Sequence, residues 1–207
     1  MEKITFEKAN EVATNRMLTA LGAYHIWKWI SNSVNINNDG GKKEAYRILN
    51  ILNKYNAVFQ QLRISTYKSF VADLCIFFDK NGYEESFSIE KLLGLVNISR
   101  IEIDVLRKKI EKIKRKNGSS INLLQELRNA DVGHQELDRK ARHLQYKIIE
   151  DLFLAVQEIL NLISNSHNRS ISSWDHIGEE IEHEMKWIIN NLERGEEQRI
   201  KEIYKNI

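Results

Sequence analysis

The chain has 207 residues, 29% of them charged and 42% hydrophobic, with nine glycines, one cysteine and no proline. That composition excludes a low-complexity or disulfide-built protein and predicts an all-α fold of long helices, with enough chain to bury a real core. A formal net charge of +2 supplies no global pull toward a polyanion, so any nucleic-acid binding must come from local clusters of charge.

Apolar spacing predicts a first helix from about Thr5 to Ser33, with Met17, Leu21, Tyr24, Trp27 and Ile30 on its buried stripe and His25 at the edge. The stretch 35–41 reads as a turn. No strand precedes Gly40 and Gly41 and no Gly-Lys-Ser sequence follows them, which argues against a phosphate-cradling loop. A long helical region from Lys42 to Asp79 follows, with a bend near Tyr55 and Asn56. Its second half, Phe59 to Phe78, is too apolar for a helix with one buried face and predicts a central core helix. Cys75 lies in this apolar run with no activating cation beside it in sequence, so it reads as a small core residue and not as a nucleophile. No apolar run approaches the roughly 18 residues that span a bilayer and no secretory leader is visible, so the expected location is the cytoplasm.

The loop 80–86 leads to a short connector helix capped by Ser86 or Ser88. From Asn97 or Ser99 to Lys116, Ile103, Leu106, Ile110 and Ile113 form a buried stripe. Arg107, Lys108, Lys109, Lys112, Lys114, Arg115 and Lys116 make the other faces basic, interrupted by Glu111. Such a run is either a solvated helix face or a phosphate-tracking surface. On the second reading Lys108, Lys109, Lys112 and Lys116 are the RNA-binding candidates, and counterion release makes their binding steeply salt dependent.

The next helix is expected to be capped by Ser119 or Ser120 and buried through Leu123, Leu124 and Leu127, which brings Arg128 to its far end. The stretch Arg128-Asn129-Ala130-Asp131-Val132-Gly133-His134 then gathers a permanent cation, an amide, a carboxylate, a helix breaker and an imidazole. A guanidinium presents a planar donor fork to phosphate, and an imidazole moves a proton near neutral pH. Six residues apart on a straight helix, the two side chains point about 120° away from each other. They converge only if Gly133 ends the helix or if a second copy of the site supplies the partner. A helix that simply ends here would have the same sequence.

Beyond the motif a long helix runs from Gln135 to about Ser164 with two apolar stripes. One carries Leu144, Ile148, Leu152, Ala155, Ile159 and Leu162, and the other Tyr146, Ile149, Phe153, Val156, Leu160 and Ile163. A helix of this kind packs against two neighbours, and a second subunit is a candidate for one of them, which suggests a homodimer with the motif near its seam. A polar linker over 165–173 divides the chain into a helical domain, 1–165, and a C-terminal helical arm, 166–207. Trp174, Ile177, Ile181, Met185, Ile188 and Leu192 mark the apolar side of the arm, followed by a break at Arg194-Gly195 and a short charged helix. His176, Glu180 and His183 share one side of it, but nothing reinforces them as ligands. No metal or cofactor is expected, and partner binding is the better role for the arm.

Arg128, Asn129 and His134 together resemble the Arg-polar-x(4)-His signature of the HEPN superfamily. Upstream, Tyr55-Asn56-Ala57-Val58-Phe59, Phe78-Asp79-Lys80 and Ser88-Ile89-Glu90-Lys91-Leu92-Leu93 resemble its abortive-infection (Abi) branch, and the likeness spans residues 15–165. The branch reads closer to Arg-Asn-Lys-x-x-Ala-His, so Ala130 and Gly133 depart from it and remove one cation near the site. The resemblance implies a HEPN-like helical bundle with a C-terminal extension. It further implies a metal-independent endoribonuclease that acts as a toxin or abortive-infection effector through composite sites of a homodimer. In that role His134 is the general base or acid, Arg128 steadies the transition state, Asn129 orients the phosphate or imidazole, and Asp131 holds the histidine tautomer. A controlling antitoxin or nucleotidyltransferase-like partner is implied as well. The alternatives are a non-catalytic HEPN-like module that binds a nucleotide, an RNA or a partner protein, and a plain dimeric scaffold.

Overall fold

A computed structural model of the chain describes residues 4–33, 42–79, 88–131, 145–167, 174 and 176–205. Among the described residues there are eight helices and no strand: α1 Phe6–Ser33, α2 Lys42–Lys54, α3 Asn56–Phe78, α4 Ile89–Leu95, α5 Arg100–Lys116, α6 Gly118–Asp131, α7 Tyr146–Ser166 and α8 Ile177–Lys205. The bend expected near Tyr55 is the single turn residue between α2 and α3. Contacts group the chain into two compact units, one of residues 1–21 and 68–174, the other of residues 22–67 and 175–207, so α1 and α3 each contribute one half to each unit.

In the first unit α7 is the central helix. Ile149, Leu152, Phe153, Val156, Ile159, Leu160 and Ile163 are all buried, and α4, α5 and α6 pack against it. Residues of both stripes are therefore buried within one chain, while Tyr146, Ile148 and Leu162 are only partly covered. The first half of α1 buries Ala9, Ala13, Met17 and Ala20 completely. At its start the Phe6 ring lies 4.2 Å from that of His167, and Ser164 Oγ donates to Asn10 Oδ1 at 3.2 Å. Ser88 caps α4 through the Lys91 N–H. This helix is more than a connector, because Ile89, Leu92 and Leu93 are fully buried. Ser99 caps α5 in a reciprocal box with Glu102. The expected serine cap of α6 is displaced. The Asn117 carbonyl accepts the first helical bond, from Ile121 N at 2.9 Å, so Ser119 and Ser120 lie inside the first turn.

The second unit is built on α2 packed against α8. Its core holds Ile30, Ile51, Leu52, Phe59, Met185 and Ile189. The stripe of α8 thus runs through Ile189, while Ile188 is 38% exposed. Arg47 on α2 pairs with Glu193 and donates to Asn190 at 2.9 Å, held in place by Glu44 at 2.7 Å on its own helix. One turn further along α8, Glu196 pairs with Lys54 and accepts from Tyr55 Oη at 2.7 Å and from Arg199 at 3.0 Å.

These contacts give α8 a pH dependence. The Glu196 carboxyl is held down to about 2, first by Lys54, then by the Tyr55 hydroxyl and Arg199. A glutamate in an unfolded chain titrates near about 4.3. The stabilisation is therefore complete above that pH and is lost as pH falls toward 2. Urea midpoints measured from pH 6 to pH 3 are expected to fall less steeply for Glu196→Gln than for the wild type.

The break expected at Arg194-Gly195 is absent, and α8 continues through it. Two glycines in this helix predict opposite effects on stability. A Cβ on Gly195 meets nothing within 4 Å, so Gly195→Ala should stabilise by about 0.5–1 kcal/mol through lower chain entropy. A Cβ on Gly178 would lie 2.7 Å from Cε1 of His25, whose ring packs edge-on against Tyr24 at 5.2 Å. Gly178→Ala is expected to cost about 1–3 kcal/mol by overpacking, read as a lower melting temperature.

Candidate functional site

The end of α3 meets α6 at Arg128. Cys75 Sγ donates to the Leu124 carbonyl at 3.5 Å. Four residues further along each helix, Arg128 Nη1 donates to Asp79 Oδ2 at 2.6 Å. The equal steps show that the ends of α3 and α6 run side by side in the same direction. Asp79 is fixed as the residue that closes α3, its N–H bonded to the Cys75 carbonyl at 3.1 Å. The guanidinium therefore sits where the carbonyl end of α3 and one carboxylate favour a cation. It remains 33% exposed, and Asp79 24%. Burial pushes the Cys75 thiol up to about 12, against the opposing pull of Arg128, so it stays protonated and inert.

Of the motif residues, Arg128 is half-buried and Asn129 is exposed beside it on α6. Asp131 is the last residue of α6, and its side chain lies outside the described residues. Gly133 and His134 lie outside them too, as do His143 and the expected start of the following helix at Gln135. Asp79 is the participant that the sequence reading did not assign. Its signal was present as the polar residue that ends the apolar run from Val71, but nothing local to it names Arg128 as the partner.

Lys108, Lys109, Lys112 and Lys116 are all exposed on α5, away from the buried Leu106, Ile110 and Ile113. Lys114 leaves the run, because it is held by Glu90 at 2.9 Å and Glu111 at 3.6 Å. Beside it a groove of about 610 Å³ is lined by Phe78, Arg115, Asn122 and Gln125, among others. Asn122, Gln125 and Asn129 follow the three-and-four spacing of one face of α6, so the polar wall of the groove points along the helix toward the motif. Among the described residues no three His, Cys, Asp or Glu side chains form a group able to hold a metal, and no helix is long and apolar enough to cross a membrane.

The helical architecture and the family match together make this a HEPN-type, abortive-infection-associated module. The HEPN_AbiU2 family model, described as AbiU2, matches residues 12–187, and the chain belongs to that family. No curated protein and no solved structure gives a match.

Proposed function

We propose that this chain is a metal-independent endoribonuclease of the HEPN type, acting as a toxin or abortive-infection effector with composite sites in a homodimer. The observation that carries the reading is the Arg128 guanidinium held by Asp79 with Asn129 exposed beside it, in a chain of a HEPN family. His134 takes the proton of a ribose 2′-hydroxyl as general base. The 2′-oxygen forms a bond to phosphorus, the bond from phosphorus to the 5′-oxygen breaks, and that oxygen receives a proton from the acid form of the imidazole. The products are a 2′,3′-cyclic phosphate and a 5′-hydroxyl. Arg128 stabilises the charge on the crowded phosphorus. Asn129 orients the phosphate or the imidazole, and Asp131 holds the histidine tautomer. Lys108, Lys109, Lys112 and Lys116 hold the RNA backbone, and an antitoxin or nucleotidyltransferase-like partner controls the activity.

Asp79 favours one second reading. An arginine already paired with a carboxylate also suits a module that binds a nucleotide, an RNA or a partner protein without turnover. Cleavage of total RNA with EDTA present throughout separates the two. The wild type is expected to cut and His134→Ala to leave RNA intact while keeping its helical content. Equal cutting by both proteins rejects the motif as the active site, and RNA binding without cutting by the wild type supports the second reading.

A further inference from the structure

Two exposed helix faces carry matching patterns. On α5, Ile101, Val105, Lys108 and Lys112 are spaced four, three and four residues apart, and all four are exposed, Ile101 by 77% and Val105 by 49%. On α8, Glu180, Glu184, Trp187 and Asn191 have the same spacing and are also exposed, Trp187 by 59%, with Ile188 flanking it. Each set falls within about 60° of its helix surface, the geometry of a coiled-coil seam. Among the described residues none of Lys108, Lys112, Glu180 and Glu184 has an ion-pair partner. Both faces point away from the buried stripes of their own helices, so among the described residues neither is used inside its unit.

We infer that α5 of one copy docks antiparallel on α8 of a second copy through these two faces. The spacing reads the same in both directions, so sterics allow either orientation, and chemistry decides between them. Antiparallel, Lys112 meets Glu180, Lys108 meets Glu184, and Val105 meets Trp187, with Ile101 over Asn191. Parallel, Lys108 would meet Trp187, Lys112 would meet Asn191, and Ile101 would meet Glu180, so no charge pair would form. Lysine stems also cover the indole edge while their ammonium groups reach the carboxylates. Exposed apolar side chains toward one end and charges toward the other provide a small anchor and a strong orientation filter. The contact depends neither on the proposed cleavage nor on the seam of the proposed homodimer, so it adds association beyond that homodimer. Its consequence does depend on the proposed cleavage: a docked α8 withdraws Lys108 and Lys112 from RNA, so self-association and RNA compete for one surface.

Charge reversal in the full-length chain tests the contact. One variant carries Lys108→Glu and Lys112→Glu, the other Glu180→Lys and Glu184→Lys, and circular dichroism checks that both are folded. Light scattering and sedimentation at low salt should show the wild type forming species larger than the proposed homodimer, with this further association weakened at least about tenfold in each variant alone by like charges facing each other. An equimolar mixture of the two variants should regain wild-type association, because each α5 then meets an α8 of opposite sign. An increase in salt should weaken the wild type. The inference is overturned if the wild type forms nothing larger than that homodimer, if either variant forms the larger species as the wild type does, or if the mixture shows no recovery. Loss of RNA binding by the α5 variant with unchanged self-association would assign the lysines to RNA alone and also overturn it.

Discussion

Arg128→Ala is expected to lower RNA cleavage by about 10²–10³-fold, the usual effect of removing one preorganised donor from a transition-state charge. The loss should appear in the single-turnover rate more than in RNA affinity, because the guanidinium is proposed to act on charge that develops during reaction. Stability should change little. The pair with Asp79 is about one-quarter to one-third exposed, and a partly solvated ion pair contributes only about 0.2–1 kcal/mol. Arg128→Lys keeps a cation near Asp79 but loses the planar fork, so it is expected to fold normally and to recover only part of the rate. Single-turnover cleavage beside thermal melts checks both effects. A wild-type rate for Arg128→Ala removes the arginine from the chemistry and leaves it as a tie between α3 and α6.

Ile189→Ala is expected to destabilise the second unit by about 2–5 kcal/mol, the range for truncating a buried isoleucine that leaves a cavity behind. Its side chain is completely buried among Ile30, Ile51, Leu52, Phe59 and Met185. The adjacent Ile188→Ala is expected to stay within about 0.5 kcal/mol, because that side chain lies on the open side of α8. Denaturant melts give the difference, and hydrogen exchange should show faster opening of α2 and α8 together in the Ile189 variant. Equal costs at the two positions would mean that α8 does not dock through this face.

Much of the helical frame was legible from local signals. Met17, Tyr24, Trp27 and Ile30 in α1 and Leu106, Ile110 and Ile113 in α5 repeat at helical spacing and are buried. Ser88 and Ser99 are oxygen-bearing caps directly before such repeats. These features depend on neighbours within a few residues, so their physics is contained in short stretches of chain. Gly195 misled for the same reason. It is a poor helix former, but its intrinsic cost of about 1 kcal/mol is outweighed by the burial of Met185 and Ile189 together with the Arg47, Lys54 and Tyr55 contacts on either side of it.

By itself the sequence determined that the chain is helical, where most helices start and which faces seek burial. Only the tertiary structure decided the partners. It packed α4, α5 and α6 against α7, chose Ile189 over Ile188, paired α8 with α2 across 146 residues of sequence through Arg47 and Glu193, and set Arg128 against Asp79, 49 residues away. Periodicity records how strongly a face avoids water, and many surfaces satisfy that demand equally well. Which surface does so depends on shape and charge brought together from distant parts of the chain, and those are defined only once the helices have packed.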